Sequence, residues 1–409
     1  MRRAPAARFL PALIAHGVAL WAGAGAGAQA ADGDSAQADA VVAADQRPNL
    51  RYDLRGELGA EYDNNAHRTE IIRGAGNQAI VASPLARAAL GGHLSDVIAD
   101  GQQIAVAATL AGKLFTEPAA RSENVAIAQS SGLWRLTAGA RTAINLQAIY
   151  YEAFQPATGD PTSADERRDF RSLTPLLQLE RRLGDRVAAT VGAGYRWFVF
   201  KSDRGFDFQA PVGSLELRWL REATDGGADW ELTAGSSLER RWFAGRALAA
   251  AGITAGMTAN PALRRDSFVV NHVELTRVGT ALVGVGYALH WNDSNSFGET
   301  LVRHLSTLRL TTPLPFAIYL AARVELIIAS YRDALALGRD PTTAQLLSID
   351  DENRSSLRID LSRALSADGR LLLLARYTLY ENELGVSAAA IRYQRQTAML
   401  SLAFGFDRQ

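Results

Sequence analysis

The segment Arg51–Asp63, with the sequence RYDLRGELGAEYD, decides the fold because its polar and apolar residues alternate. Successive side chains of an extended strand point to opposite faces, so even-numbered and odd-numbered residues separate. The even-numbered face is apolar or small, with Tyr52, Leu54, Gly56, Leu58, Ala60 and Tyr62. The odd-numbered face carries Asp53, Arg55, Glu57 and Glu61. A strand of this kind separates two different solvents, as the strands of a transmembrane β-barrel do.

The same alternation recurs to the end of the chain, where Leu400, Leu402, Phe404 and Phe406 share one face of the last segment. Alternation and turn signals together predict an all-β chain that forms one antiparallel meander barrel of about sixteen strands, within a range of 14 to 18. The predicted strands are residues 49–63, 81–96, 102–116, 123–137, 139–154, 168–183, 186–201, 206–221, 228–243, 265–277, 280–292, 300–312, 314–331, 353–365, 369–381 and 391–406.

The predicted connections support a membrane barrel, because tight turns and longer polar loops alternate along the chain. In outer-membrane barrels the periplasmic turns are short and the external loops long, and an even strand count places both chain ends on the periplasmic side. The longest loops are predicted at residues 244–264 and 332–352. Within the predicted strand 206–221 the alternation slips around Pro211, which predicts a β-bulge there.

The N-terminal thirty residues have the three parts of a secretory signal: Arg2 and Arg3, an apolar stretch at residues 9–21, and small residues that end at Ala30. The rival reading, an N-terminal membrane anchor, needs roughly 20 apolar residues, and the glycine- and alanine-rich continuation adds little hydrophobicity. The expected division is a cleaved signal peptide at residues 1–30, a disordered periplasmic lead at 31–47 and a transmembrane barrel at 48–409.

Composition excludes several classes of function. The chain of 409 residues has no cysteine, so disulfides and thiolate metal sites are absent. Its 43 basic and 43 acidic residues give a formal net charge of zero, so no global field recruits nucleic acid. The histidines lack the spacing of a zinc site, and there is no Gly-x-Ser-x-Gly elbow. We therefore expect neither an enzyme nor a cofactor or metal, although a Ser/His/Asp set assembled from distant strands stays open.

The segment Glu61–Thr69, EYDNNAHRT, resembles the Tyr-Asp-Asp/Ser-Asn-x-x-Arg motif that begins many outer-membrane β-barrel porins of the group called β-barrel porin type 2. The resemblance implies a bacterial outer-membrane location, and some members of that group look like components of exopolysaccharide export systems. The partners it implies are outer-membrane lipid and lipopolysaccharide, the barrel assembly machinery, and a possible periplasmic export partner. The chain departs from the usual pattern because Asp407, Arg408 and Gln409 follow the last aromatic residue, Phe406.

The polar faces of the predicted strands define the candidate site. We expect these residues to line the lumen: Arg55, Glu57, Glu61, Lys113, Arg141, Arg196, Glu239, Arg241, His272, Glu274, His290, Arg323, Glu325, Arg358, Asp360 and Arg376. They either pair across the wall to keep a polar interior satisfied or form a hydrated passage whose field selects solutes. Sixteen to eighteen strands leave an aqueous channel unless something plugs it.

Two functions follow from these expectations. The first is an outer-membrane channel for small hydrophilic solutes or for export of a polysaccharide. The alternative is a structural or partner-binding barrel with an occluded pore. The apolar stretches 247–251 and 334–337 lie in the longest predicted loops, so we expect at least one of them to narrow the barrel mouth, with the acidic residues 350–352 near the entrance. Otherwise these stretches pack on neighbouring loops or on a second protomer.

Overall fold

The computed structural model describes residues 50–69, 71–72, 80–155, 169–201, 203–223, 228–250, 257–332, 354–386 and 389–408. Its strands are β1 (Arg51–Asp63), β2 (Ile71–Ile72), β3 (Ser83–Ala99), β4 (Gln102–Phe115), β5 (Val125–Thr137), β6 (Thr142–Phe154), β7 (Phe170–Arg182), β8 (Val187–Phe200), β9 (Phe208–Arg221), β10 (Asp229–Ala250), β11 (Met257–Val278), β12 (Leu282–Ser294), β13 (Leu301–Leu314), β14 (Ile318–Tyr331), β15 (Ser355–Ala364), β16 (Leu371–Val386) and β17 (Ala389–Arg408). Short 3-10 segments occur at Pro118–Glu123, Arg204–Phe206 and Pro315–Ala317.

All long strands belong to one antiparallel sheet that closes on itself. Each pairs with its neighbour in the sequence, and β1 also pairs with β17, from Tyr52 opposite Arg408 to Asp63 opposite Thr397. The two-residue β2 pairs with β17, with Ile72 opposite Ile391 and Ile71 opposite Arg392. The wall is therefore a closed meander barrel of sixteen long strands, and the predicted fold class is confirmed.

The wall has two different faces, as the alternation predicts. Leu58 is 65% exposed on the outside, whereas its neighbour Glu57 is 4% exposed on the inside. The same parity holds at β17, where Leu400 is exposed and Ser401 is buried. Even the shortest long strand, β15, has 10 residues, which is enough to cross a bilayer when tilted. None of the helical segments in the described ranges is long and apolar enough to span a membrane.

The two ends of the barrel differ in their connections. We call the end that carries Asp63 and Phe115 the loop end, and the end that carries Arg51 and Ala99 the turn end. Turn-end connections are short, for example residues 100–101 between β3 and β4 and residues 279–281 between β11 and β12. Loop-end connections include the long segments 64–82 and 332–354, but also the short segments 251–256 and 387–388. The connections at the loop end are therefore not uniformly longer than those at the turn end, in contrast to the predicted alternation of short and long connections.

The predicted loop at residues 244–264 is wrong, because most of it belongs to a hairpin that continues β10 and β11. Their pairing runs on to Ala250 opposite Met257, whereas β9 stops pairing at Phe208 opposite Phe243. The backbone N–H of Phe297 donates to the oxygen of Leu248 at 2.9 Å, so the hairpin packs on the neighbouring loop. The interval 382–390, left as a connection between the predicted strands 369–381 and 391–406, is likewise mostly strand, since β16 and β17 pair to Val386 opposite Ala389. Continuing the ladder satisfies backbone groups that a loop would leave to water.

The predicted bulge at Pro211 is also wrong. The register between β8 and β9 runs without a shift from Val187 opposite Trp219 to Phe198 opposite Phe208. The apparent slip arose because apolar residues of β9 occupy both faces: Phe208 is buried inside, and Leu217 is exposed outside. The signal peptide, the lead, the stretch 334–337 and the acidic residues 350–352 lie outside the described residues.

Candidate functional site

The interior of the barrel is the candidate site, and strand parity places nearly all of the predicted residues there. The inward-facing set is Arg55, Glu57, Glu61, Lys113, Arg196, Glu239, Arg241, His272, Glu274, His290, Arg323, Glu325, Arg358, Asp360 and Arg376. Arg141 does not join them, because β6 begins at Thr142 rather than at residue 139. Arg141 is exposed in the turn between β5 and β6, where its carbonyl accepts a hydrogen bond from the N–H of Arg182.

A buried four-residue cluster joins β1, β3 and β4. The Nε of Arg87 donates to Oε1 of Glu57 at 3.1 Å, and its Nη1 lies 3.5 Å from Oε2 of Glu61. The Nζ of Lys113 donates to the other oxygen of Glu61 at 3.0 Å. All four side chains are almost fully buried. Two cations therefore compensate two carboxylates, as charges shielded from water require.

A second group of ion pairs lies on β14, β15 and β16. Asp360 accepts from Nε of Arg376 at 2.7 Å and from Nη2 of Arg358 at 2.8 Å. Arg376 and Asp360 occupy opposed positions of β16 and β15, which explains the contact. On β14, Arg323 donates to Glu325 two residues away on the same face. Each carboxylate here is held by at least one guanidinium.

A third group extends towards the loop end on β8, β10 and β11. Glu239 accepts from Nη1 of Arg196 at 2.7 Å and from Nε of Arg241 at 3.0 Å. The Arg241 side chain is fully buried, and its guanidinium stacks 4.2 Å from the ring centre of Phe268. The hydrogen bond to Glu239 and the cation–π contact with Phe268 together hold the Arg241 side chain against the wall.

Above this group, Arg264 of β11 joins the hairpin to the loop after β12. Its Nη2 donates to Asp266 at 2.6 Å and to Glu299 at 3.2 Å. Asn292 donates to the Glu299 carbonyl at 2.8 Å, and the Arg264 guanidinium lies 4.2 Å from the ring centre of Phe243. The loop-end wall is therefore cross-braced on its inner side.

An inward-facing arc of aromatic rings follows the loop ends of β6 to β10. Successive ring centres lie 5.4, 5.1, 4.8 and 5.1 Å apart. The rings, in order, are Tyr151, Phe170, Phe198, Phe208 and Phe243. All of them are buried. Sequence reasoning missed this arc because it assigned apolar side chains to the outer face, although their strand parity identifies them as inward.

The first-strand motif closes the seam of the barrel. Asp63 and Arg395 are both buried, and Nη2 of Arg395 donates to Oδ2 of Asp63 at 2.5 Å. The side-chain oxygen of Asn64 accepts from the N–H of Gln396 at 2.7 Å. The side-chain amide of Asn65 donates to the Gln394 carbonyl at 3.2 Å. The Asp-Asn-Asn segment thus ties the first strand to the last one.

The turn half of the interior is also paired but more open. Arg135 makes a bidentate contact with Glu180 at 2.8 and 3.1 Å, and Arg218 lies 2.7 Å from Glu231. Arg309 donates to Glu274. Here the carboxylates are half-buried, whereas Glu61, Glu239 and other inward side chains of the loop half are almost fully buried. The paired carboxylates of the loop half are therefore more closely packed than those of the turn half.

Several of these interior partners were absent from the sequence prediction, namely Asp63, Arg87, Arg135, Arg218, Arg264, Asp266, Arg309 and Arg395. Arg87 was detectable from the sequence, because the alternate positions Pro84, Ala86, Ala88 and Leu90 are all apolar and form the opposite face of the strand. Which cation meets which carboxylate was not detectable, since alternation fixes a face but not the register between strands.

The interior shows no metal-binding arrangement among the described residues. No group of three or more His, Asp or Glu side chains within those ranges has the geometry of a metal site. His290 is almost fully buried, and neither of its ring nitrogens has a hydrogen-bond partner. The Nε2 of His272 likewise has none. His290 therefore holds no nucleophile by a hydrogen bond, as an activating base would.

Comparison with known proteins gives structural matches alone. No family model and no curated protein matches the chain. The loop L8 deletion mutant of OmpT, an outer membrane protein of Vibrio cholerae, has 12% identity and a TM-score of 0.41 over 88% of this chain and 99% of that chain. OccAB1 of Acinetobacter baumannii has 6% identity and a TM-score of 0.46 over 88% and 97% of the two chains.

OccK5 (OpdH) of Pseudomonas aeruginosa is similar at 9% identity, with a TM-score of 0.41 over 88% of this chain and 99% of that chain. Identities and TM-scores this low carry no argument about function. The closed barrel is established by the register of this chain's own strands, and its function has to be argued from its own residues.

Proposed function

We propose that the protein is a bacterial outer-membrane channel for small hydrophilic solutes. The observation that carries the proposal is the two-sided wall: a closed barrel of sixteen long strands with large apolar side chains exposed outside and charged side chains inside. The interior of a small, eight-stranded barrel is filled by its own side chains, whereas a barrel of sixteen strands is wide enough to enclose an aqueous channel. With the loop end external and the turn end periplasmic, the start of β1 and the end of β17 both lie on the periplasmic side.

Pairing of the interior charges supports weak discrimination between cations and anions. The carboxylates of Glu57, Glu61, Glu239, Asp360 and Glu180 all contact guanidinium or ammonium groups of the wall. A paired wall presents dipoles rather than a field of one sign, so size and hydrogen bonding set the selectivity. The crowded loop half would then act as the size filter.

The second candidate, a barrel with an occluded pore, is favoured by one observation. Inward side chains of the loop half are almost fully buried on most strands, including the aromatic arc and the fully buried Arg241. The same crowding weakens the case for polysaccharide export, because a saccharide chain needs a continuous passage wider than a single small solute. Insertion by the barrel assembly machinery belongs to either proposal.

Conductance in planar bilayers separates the two candidates. Refolded full-length protein is added at low concentration to a bilayer that contains phospholipid only. The channel proposal predicts discrete current steps and, under a potassium chloride gradient, a reversal potential close to zero. Absence of current from a sample whose folded barrel is verified by heat-modifiable migration supports the occluded barrel. A large reversal potential contradicts the paired-wall account of selectivity.

A further inference from the structure

Three arginines interrupt the apolar outer face near the loop end of β10 and β11. Arg240, Arg246 and Arg265 are all exposed. Arg240 is flanked on its own face of β10 by Leu238 and Trp242, which are 51% and 43% exposed. A charge on the lipid-facing side is unfavourable unless it lies near the interface and meets a counter-charge. The position of these cations therefore calls for an anionic partner at the membrane surface.

The strand register brings two of them within reach of one anion. Trp242 lies opposite Arg265, and Arg240 lies opposite Ser267. Arg240 and Arg265 are thus diagonal neighbours on one face, a relation that separates the two positions by roughly 7–8 Å and their Cβ atoms by somewhat less. Long guanidinium side chains at this spacing can both contact one phosphate. Arg240 also donates a hydrogen bond to the Ser267 hydroxyl, which restrains it on this face.

Aromatic residues and charge balance define the rest of the patch. Trp242 and Trp291 flank the arginines, and Trp291 lies opposite Val269 on the next strand. Tryptophan at this level is typical of the headgroup region of a bilayer. The acid on the neighbouring strand is Asp293, which lies opposite Ser267. Three cations thus face one carboxylate among the described outward side chains of this patch.

A neighbouring rim site shows the contrast. Lys201, just after β8, contacts Glu152 at 2.7 Å and Asp169 at 3.1 Å. Burial acts to lower the pKa of Lys201, but the hydrogen bonds to these two carboxylates outweigh it, so its pKa is raised. Its charge is compensated within the protein. Arg240 and Arg265 instead form a patch with a net positive charge, flanked by tryptophan on the lipid side of the wall.

We propose that the patch formed by Arg240, Arg246, Arg265, Trp242 and Trp291 binds a phosphate group of the phosphorylated glycolipid, lipid A, in the outer leaflet. A lipid-borne phosphate fits better than a free one because the arginines lie beside apolar side chains that face the bilayer. The inference rests on the proposed outer-membrane location, which puts the loop end in the outer leaflet. It does not depend on whether the pore conducts.

Binding of lipid A to the folded full-length protein in detergent tests the inference. Diphosphoryl lipid A and its dephosphorylated form are titrated, and bound lipid is counted by native mass spectrometry. The double variant Arg240→Gln and Arg265→Gln should bind diphosphoryl lipid A about 25-fold more weakly, at about fivefold per arginine near a charged lipid surface. Wild-type protein should prefer the diphosphoryl form.

A matched variant removes the same charge at the other end. Arg221 and Arg277 both lie opposite Trp230 near the turn end, so Arg221→Gln with Arg277→Gln also deletes two outward arginines beside a tryptophan. It should leave lipid A affinity within about twofold of wild type. An equal loss in both variants, or equal binding of the two lipid forms, would overturn the proposal. Conductance in phospholipid alone is unaffected by this outcome, so the two proposals fail separately.

Discussion

Breaking the seam between the first and last strands should destabilise the whole barrel. The change is Arg395→Gln, which removes the guanidinium that makes three contacts of 3.0, 3.0 and 2.5 Å with Asp63. Asp63 is 0% exposed. After the substitution its Oδ1 still accepts a hydrogen bond from the backbone N–H of Asn65 at 2.9 Å. Removing one partner of a buried ion pair costs about 3–5 kcal/mol, because the other charge stays buried.

The measurement is the free energy of unfolding of the refolded barrel in lipid vesicles, followed by tryptophan fluorescence in a denaturant titration. The matched control is Arg204→Gln, which breaks an exposed pair with Asp207 and should cost less than about 1 kcal/mol. Adding Asp63→Asn to Arg395→Gln should recover part of the loss, because the stranded charge is gone. A loss no larger than the control's, or no recovery in the double variant, would refute the reasoning.

Three further predictions test the wall, the orientation and the loop half. Val191→Arg on the exposed outer face should lower the unfolding free energy by about 2–4 kcal/mol, whereas Thr190→Arg on the inner face should cost clearly less; equal losses would contradict the register. A membrane-impermeant thiol reagent should label Arg204→Cys but not Asp368→Cys on intact cells, and reversed labelling would invert the orientation. Phe198→Ala with Phe208→Ala should raise conductance, since both rings are buried inside, while the outer-face pair Leu177→Ala and Leu215→Ala should leave it unchanged.

Sequence alternation predicted the strands best where the two faces differ most. At β1 each charged residue sits between apolar or small ones, and the structure starts and ends that strand within two residues of the prediction. The hairpin of β10 and β11 was missed because residues 244–264 are rich in alanine and glycine, whose small side chains show little contrast between faces. A weak pattern gives no sign that the ladder continues.

The interior was predicted by face but not by contact. Parity identified Glu61 and Lys113 as inward, yet their hydrogen bond depends on the register among β1, β3 and β4. A register shift by two residues would keep both side chains inside and separate them, so the alternation alone does not distinguish the pairings. The aromatic arc was missed for a different reason: residue type suggested the lipid face for Phe208, although its parity within β9 places it inside.

The most direct test of the central claim is whether the polar face lines a conducting passage. The chain has no cysteine, so Gln178→Cys on the inner face and Leu179→Cys on the outer face each introduce a single reactive thiol. After a bulky methanethiosulfonate reagent is added to open channels in a planar bilayer, the account predicts a stepwise fall in current for Gln178→Cys and no change for Leu179→Cys. An unchanged current for Gln178→Cys after confirmed labelling, or an equal fall for both variants, would contradict it.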